Sequence, residues 1–270
     1  MNRGVITFNG PDSLKQRLWW IVALITALVV ACTTGLVLVG KLARRDATSG
    51  WTSSHPISRV RINSAGGTVE VHGGSTGGKV TVAQDIGWVT AKPKVDYSWD
   101  KDTLVLSVSC GGGPFLGSLN CQTDVRLQVP AGTAVDAESD SGAVMVDGVS
   151  GAVSLRSHSG PLNLHAVSGP LWLRSDSGPI EGDGLRSATV TARSASGPLS
   201  LNFAVAPQSV SAGSSSGPVD VLLPKHTRYQ ATATSRSGPA SVDDGLDDPG
   251  SSATVRATSN SGPVDISYGS

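Results

Sequence analysis

Residues 158–176, "HSGPLNLHAVSGPLWLRSD", contain the triplet Ser-Gly-Pro twice, and each triplet is followed by Leu, one other residue and Leu. Glycine permits a bend that other residues resist, and proline fixes φ beside it. The same corner, as Ser-Gly-Pro or Ser-Gly-Ala, recurs to the end of the chain, with its glycine at Gly142, Gly151, Gly160, Gly169, Gly178, Gly197, Gly217, Gly238 and Gly262. The spacing predicts a unit of about 18 residues with two strands and two corners.

Side-chain alternation within one unit predicts which face is buried. Leu171, Leu173, Ser175 and Ser177 are expected on one face of a strand, and Trp172 on the other. Paired serines recur before later corners, where we expect them to hydrogen-bond to one another along the stack. The leucine face should point inward.

One such unit cannot bury its own apolar face, so successive units must stack with parallel pairing. The sequence therefore predicts an all-β fold, a parallel β-solenoid (β-helix) with coils of about 18–24 residues, over residues 57–270. Residues 79–129 are less regular. They predict a hairpin around residues 100–102, as an insert or lateral flap rather than a coil.

The N-terminal region predicts a membrane anchor. Residues 18–40 carry no charge and would form a helix about 34 Å long, enough for a hydrocarbon core of about 30 Å. This interpretation makes residues 1–17 a tail and residues 41–56 a linker. An alternative is a lipoprotein attached through Cys32, which follows the small-residue pattern Val-Val-Ala.

Two cysteines decide the predicted orientation, because positive residues are balanced on the two sides of the anchor. Cys110 and Cys121 flank a Gly-rich loop that a disulfide could close. Disulfides persist in oxidising compartments. We therefore expect a single-pass protein with a cytoplasmic N-terminus and an extracytoplasmic C-terminal domain.

Three features together resemble a known family. They are the Ser-x-Ser-Gly-Pro-Leu-x-Leu repeats, the stretch "VRLQVPAGTAVDAESDSG" (125–142) with its echo "VDVLLPKHTRYQATATSRSG" (219–238), and the single anchor. They are similar to the β-strand-repeat, adhesin-like proteins of bacterial cell surfaces, whose function is largely unassigned. The resemblance covers about residues 57–270. It implies a location in the cell envelope and no catalytic residues.

Composition excludes one class of partner. The formal net charge is zero and only 16% of residues are charged, so we expect no nucleic-acid partner. We expect no cofactor and no metal, because the histidines are scattered. The function predicted is a non-catalytic adhesin-like or envelope-interaction scaffold with an envelope or protein partner. The alternatives are a β-helix enzyme acting on envelope glycans and a self-assembling structural protein.

Two surfaces are candidates for chemistry or binding. Asp140, His158 and Asp176 occupy equivalent positions in successive coils, an arrangement we interpret as a solvated outer face rather than a catalytic site. The second is a ridge formed by insertions at one corner, where loops are usual binding elements. Its predicted partner-binding residues are Phe203, His226, Arg228 and Tyr229. We also expect the last strand, "PVDISY", to be an uncapped edge through which the terminal coil could self-associate.

Overall fold

The computed structural model describes residues 19–31, 45–88, 92–109 and 122–269. The chain forms two units, Met1–Arg45 and Asp46–Ser270. In the first, residues 19–31 are helical, and within the described residues no helix is both long and apolar enough to cross a bilayer. Cys32, Cys110 and Cys121 lie outside the described residues, so the disulfide and the lipid attachment remain predictions.

The second unit is built from two stacked sheets. Within the described residues it has 21 strands: β1 (Arg45–Ser53), β2 (Arg59–Ser64), β3 (Thr68–Gly73), β4 (Val80–Trp88), β5 (Lys94–Asp100), β6 (Thr103–Ser109), β7 (Gln122–Val129), β8 (Ala134–Ser139), β9 (Val144–Asp147), β10 (Val153–Ser157), β11 (Leu162–His165), β12 (Leu171–Ser175), β13 (Ile180–Leu185), β14 (Thr189–Ser194), β15 (Leu199–Phe203), β16 (Ser209–Ser214), β17 (Val219–Leu223), β18 (Gln230–Ser235), β19 (Ala240–Val242), β20 (Thr254–Ser259) and β21 (Val264–Tyr268).

Each coil contributes one strand to each sheet, and most pairing is parallel. The 11-stranded sheet has the order β1-β4-β7-β3-β9-β11-β13-β15-β17-β21-β19. The 10-stranded sheet has the order β18-β20-β16-β14-β12-β10-β8-β2-β6-β5. The all-β prediction and the stacking of parallel coils are confirmed.

The inner faces of the two sheets form one apolar core. Leu173 stands in register with Leu155 and Ala192 of the neighbouring coils, and all three are buried. Trp172, one residue earlier, is 43% exposed. The inward face of this strand is therefore as predicted.

The corner glycines are required by close stacking. A Cβ on Gly160 would overlap the carbonyl oxygen of Gly142, and a Cβ on Gly178 would overlap that of Gly160. Only glycine lets successive corners approach at this distance.

The serines before the corner differ in part from the prediction: Ser235 and Ser259 donate to a neighbouring coil, but to its corner glycine carbonyl and not to its serine. Ser157 and Ser175 are buried, but each donates a hydrogen bond to the glycine carbonyl of its own corner, at 2.6 and 2.7 Å, rather than along the stack. Ser177 is exposed because the strand ends at Ser175 and the bend begins there. The alternation of faces therefore stops one serine earlier than expected.

The described strands between residues 79 and 129 form more than a flap, which corrects the prediction for this region. The β5–β6 hairpin is confirmed, with its turn at Lys101 in left-handed conformation. However, β6 and β7 pair in parallel with β2 and β3, so they form a complete coil. Strands β4 and β5 then pair antiparallel with β7 and β6 at that end of the solenoid. The extra strands cover edges that the coil alone would expose.

The C-terminal coils do not follow chain order. Strands β20 and β21 pair on one side with β16 and β17 and on the other with β18 and β19. The last coil in sequence is therefore the penultimate coil in space. The prediction that "PVDISY" is an uncapped edge is wrong, because β21 has a strand on both sides and Val264 and Ile266 are buried.

Candidate functional site: two oppositely charged faces

Over most of their strands the outer faces of the two sheets carry opposite charges, although β8 of the 10-stranded sheet carries Asp136 and Glu138. We call "basic face" the outer side of β10, β12, β14, β16, β20 and β18, strands that contain no acidic residue and four arginines: Arg156, Arg174, Arg193 and Arg256. We call "acidic face" the outer side of β3, β9, β11, β13, β15, β17, β21 and β19, strands that contain no lysine or arginine and six carboxylates: Glu70, Asp147, Glu181, Asp183, Asp220 and Asp265. The core separates the two faces.

Three arginines form a row on the basic face. Arg174 stands in register with Arg156 on one side and Arg193 on the other, at a strand spacing of about 4.8 Å. All three side chains are exposed, and no carboxylate of the described residues forms an ion pair with any of them. Like charges directly opposite one another destabilise a sheet. Glu138 stands in register beside Arg156 on the neighbouring strand, so it is chiefly Arg174 and Arg193 that can accept negative charge from outside the chain.

A second row of outward positions runs beside the arginines. It begins at Trp172 and continues in register through Thr191 and Ser211 to Arg256 and Thr232. The ring of Trp172 has the Arg156 guanidinium 5.8 Å from its centroid. An exposed indole held beside a cation offers a rigid flat surface for stacking.

Small side chains between the large ones leave two shallow depressions along this row. One of about 210 Å³ is lined by Trp172, Arg174, Thr191 and Arg193. The next, of about 290 Å³, is lined mainly by hydroxyl and amide groups together with one arginine: Ser209, Ser211, Gln230, Thr232, Thr254 and Arg256. We call the two depressions together the "axial groove", because they follow one another from strand to strand.

The acidic face carries a histidine–aspartate row. Asp147 lies between His165, at 2.8 Å from Nδ1, and His72, at 3.4 Å from Nδ1. The hydrogen bond with His165, and then that with His72, lowers the pKa of Asp147 below its ordinary value. His165 also approaches Asp183 at 4.0 Å. The row joins four successive coils by ion pairs when the imidazoles are protonated.

The far end of the acidic face is less compensated. Asp220 stands in register with Asp265 on the adjacent strand. Burial raises the pKa of Asp220, and the charge of Asp265 raises it further. At the opposite end, Arg126 on β7 pairs with Glu70 at 2.9 Å. The negative charge is thus neutralised near β7 and retained near β21.

The predicted Asp140–His158–Asp176 row exists. His158 Nδ1 is 3.4 Å from Asp140 and Nε2 is 3.9 Å from Asp176. All three side chains are about half exposed or more. Within the described part of the chain, no cluster of His, Cys, Asp and Glu has a geometry that could hold a metal ion.

The predicted ridge is only half exposed, which corrects the list of candidate binding residues. Phe203 is 3% exposed and Tyr229 is 1% exposed, so both side chains lie in the core. Phe203 continues the inward alternation of β15, and Tyr229 packs at the last coil with its amide donating to Leu246.

The other two ridge residues remain on the surface. His226, in left-handed conformation, and Arg228 are exposed and, with Lys225, Gly245 and Tyr268, line a depression of about 400 Å³. The structure brings these two together at the depression, which the buried side chains of Phe203 and Tyr229 do not line.

Sequence reasoning missed the charged faces, although a signal was present. Three successive strands on one side of the repeat end in Leu-Arg-Ser or Ala-Arg-Ser, whereas most strands on the other side carry Asp or Glu. Sorting charges by half-unit, rather than summing them, would have revealed the segregation.

This chain is similar to several solved structures and matches one family model. Similar folds occur in a "putative adhesin" from Bacteroides fragilis (TM-score 0.47, 15% identity, 83% of this chain and 97% of that one) and in a "putative cell adhesion protein" from Clostridium sporogenes (TM-score 0.41, 12% identity, 83% and 100%). No curated protein shows detectable sequence similarity. The model of the family described as Toastrack DUF4097 matches residues 48–268. Because that match spans most of the 270 residues, the chain belongs to the Toastrack family.

Proposed function

We propose that the protein is a membrane-anchored, extracytoplasmic scaffold of adhesin-like type that works without catalysis and binds an anionic component of the cell envelope through its basic face. The observation that carries the proposal is the row Arg156, Arg174 and Arg193, which is exposed and has no ion-pair partner among the described residues. Three like charges in register repel one another, and a bound anion offsets this repulsion.

Envelope binding tests the role of the basic face. Full-length protein with Arg156, Arg174 and Arg193 changed to Gln should lose most of its binding to isolated cell envelopes. A matched variant with Glu181→Gln, Asp183→Asn and Asp265→Asn on the acidic face should retain it. Wild-type binding should weaken with rising salt, because exposed charges are screened over about 8 Å at physiological ionic strength. Equal binding by both variants would refute the proposal.

The proposal of a membrane anchor is supported by the uncharged stretch 18–40. The proposed orientation is supported by the two cysteines of the C-terminal domain. In a variant without the native cysteines, a reporter at the exposed position Ala195 should react with a membrane-impermeant maleimide on intact cells. A reporter at Asn2 should react only after lysis. The reverse pattern would place the solenoid in the cytoplasm.

Separately, opposite faces favour a second candidate function, self-assembly. The basic face of one copy could stack on the acidic face of another, because the charges are complementary. Light scattering at low and high salt would detect this as a salt-sensitive increase in mass. A constant mass across concentrations would exclude it.

A further inference from the structure

We propose that the axial groove binds a linear acidic polysaccharide, a chain of sugars carrying carboxylates, which runs across the strands along the solenoid. This proposal rests on the proposed function and names the chemistry of its ligand. It concerns the surface on both sides of the row that begins at Trp172.

The direction of the ligand follows from the register. Trp172, Thr191, Ser211 and Arg256 occupy successive strands, so the row from Trp172 to Arg256 covers three strand steps, or about 14 Å at about 4.8 Å each. The depression of about 210 Å³ lies on the arginine side of this row, and the depression of about 290 Å³ lies on the next strands and on the other side of the row. A ligand that fills both must be extended and must cross the strands.

Its charge follows from the arginines. Guanidinium groups bind carboxylates through two parallel hydrogen bonds. Arg174 and Arg193 line the first depression and Arg256 lines the second. A polymer with a negative group on successive units can therefore contact an arginine in each depression.

Its sugar character follows from the other side chains. Trp172 is 43% exposed at one end of the groove, where its ring offers an apolar flat surface. The rest of the groove presents hydroxyls and an amide, from Thr191, Ser211, Thr232 and Gln230. A sugar has an apolar ring face that can stack on Trp172 and hydroxyls that can hydrogen-bond to these polar groups. A phospholipid surface would not use a concave groove lined by hydroxyls.

The first experiment compares two forms of one polymer. Full-length protein in phosphatidylcholine nanodiscs should bind polygalacturonate, and its fully methyl-esterified form, which has the same backbone without charge, at least tenfold more weakly. Equal affinity for both forms would overturn the proposal.

Single substitutions locate the site. Arg174→Gln and Arg193→Gln should each weaken polygalacturonate binding about tenfold or more, and so should Trp172→Ala. Arg186→Gln removes the same charge from an exposed position outside the groove and should change affinity less than twofold. All four positions are exposed, so thermal melting should confirm that the variants fold. An effect of Arg186→Gln as large as the others would overturn the site.

Other polyanions provide the alternatives. Equal or tighter binding of phosphatidylglycerol vesicles or of a thymidine oligonucleotide would show a non-specific cationic surface and overturn the inference. A salt-sensitive dimer that buries the groove, and that polygalacturonate does not disperse, would also overturn it. If envelopes bind through the basic face but polygalacturonate does not, this inference fails and the proposed function stands. If envelope binding does not depend on the arginines of the basic face, the proposed function fails.

Discussion

At the residue scale, the corner glycine is the position that tolerates least change. Successive corners stack so closely that a Cβ on Gly160 would overlap backbone atoms of Gly142, which cannot rotate away as a side chain could. The buried Ser157 hydroxyl then satisfies the Gly160 carbonyl. The triplet therefore turns the chain while its backbone carbonyl keeps a hydrogen-bond partner.

A single methyl group tests this stacking. Gly160→Ala should lower the free energy of unfolding by about 1–3 kcal/mol or more, because the backbone of two coils must separate. Gly132→Ala is the matched control, since a Cβ there meets no atom within 4 Å and the residue has no left-handed φ. It should be neutral or slightly stabilising. Urea unfolding measures both, and similar losses would show that the close approach is unimportant.

Adjacent residues on one strand test the assignment of faces. Leu173 is 1% exposed and Leu173→Ala should cost about 2–5 kcal/mol, through lost burial and a cavity. Trp172→Ala removes a larger side chain from the outer face and should cost less, about 1 kcal/mol or below. Denaturant melts of the two variants give the comparison. A larger loss for Trp172 would mean that its ring packs in the core.

At the element scale, coil order is the least expected feature. Strands β20 and β21 occupy the place directly after β16 and β17, and β18 and β19 cover the end. At the other end, β2 and β3 are likewise enclosed between β6–β7 and β8–β9. A coil next to an end thus has neighbours on both sides. The residues of β18, which belongs to the outermost coil, are mostly of intermediate exposure.

Replacing the outermost coil tests this order. If residues 224–253 are replaced by a copy of residues 204–208, which connect β15 to β16, the chain should run directly from β17 to β20 and keep cooperative unfolding. A chain that ends at Gly250 should lose cooperativity in its last coils, since β18 and β19 then lose their partners. Circular dichroism melts distinguish the two. Equal cooperativity of unfolding in the two shortened chains would contradict the order in which β20 and β21 lie between β16–β17 and β18–β19.

At the scale of the whole molecule, a zero net charge conceals two charged faces. Lys and Arg number 21 and Asp and Glu number 21, so the total suggests no electrostatic surface. The fold nevertheless places arginines on one side of the core and carboxylates on the other. Attraction of an anion depends on the field near the face rather than on the sum of charges.

The acidic face makes stability depend on pH in two opposite ways. Asp147 has a lowered pKa, so its contribution is present above the ordinary carboxyl pKa and is lost as pH falls through the lowered value. Asp147→Asn should therefore flatten the loss of stability below about pH 4. Asp220 has a raised pKa, so its charge is unfavourable at neutral pH, and Asp220→Asn should be stabilising there. Denaturant unfolding of the wild type and of both variants from pH 2.5 to 7 tests both signs. A variant whose free energy of unfolding follows the wild-type dependence on pH would contradict the sign predicted for that residue.

Local rules let the sequence alone determine the coil. The glycine spacing and the inward Leu171 and Leu173 follow from backbone sterics and side-chain alternation, which act within one unit. Parallel stacking follows because one unit cannot bury its own apolar face. The same alternation places Phe203 on the inner face, although the prediction of a ridge of insertions assigned this residue to a loop. It also gave the positions of Asp140, His158 and Asp176, because in-register coils bring equivalent residues together.

Only the tertiary structure decided how the coils are ordered and what the faces carry. Coils of similar sequence can pair with any neighbour, so the position of β20 and β21 depends on the total surface buried at the end of the stack, a non-local quantity. The burial of Tyr229 follows from that arrangement. The arginine row and the axial groove likewise need neighbours from six coils, and residues adjacent in them lie 18 to 45 positions apart along the chain. No local pattern brings them together; the register of the stacked strands does.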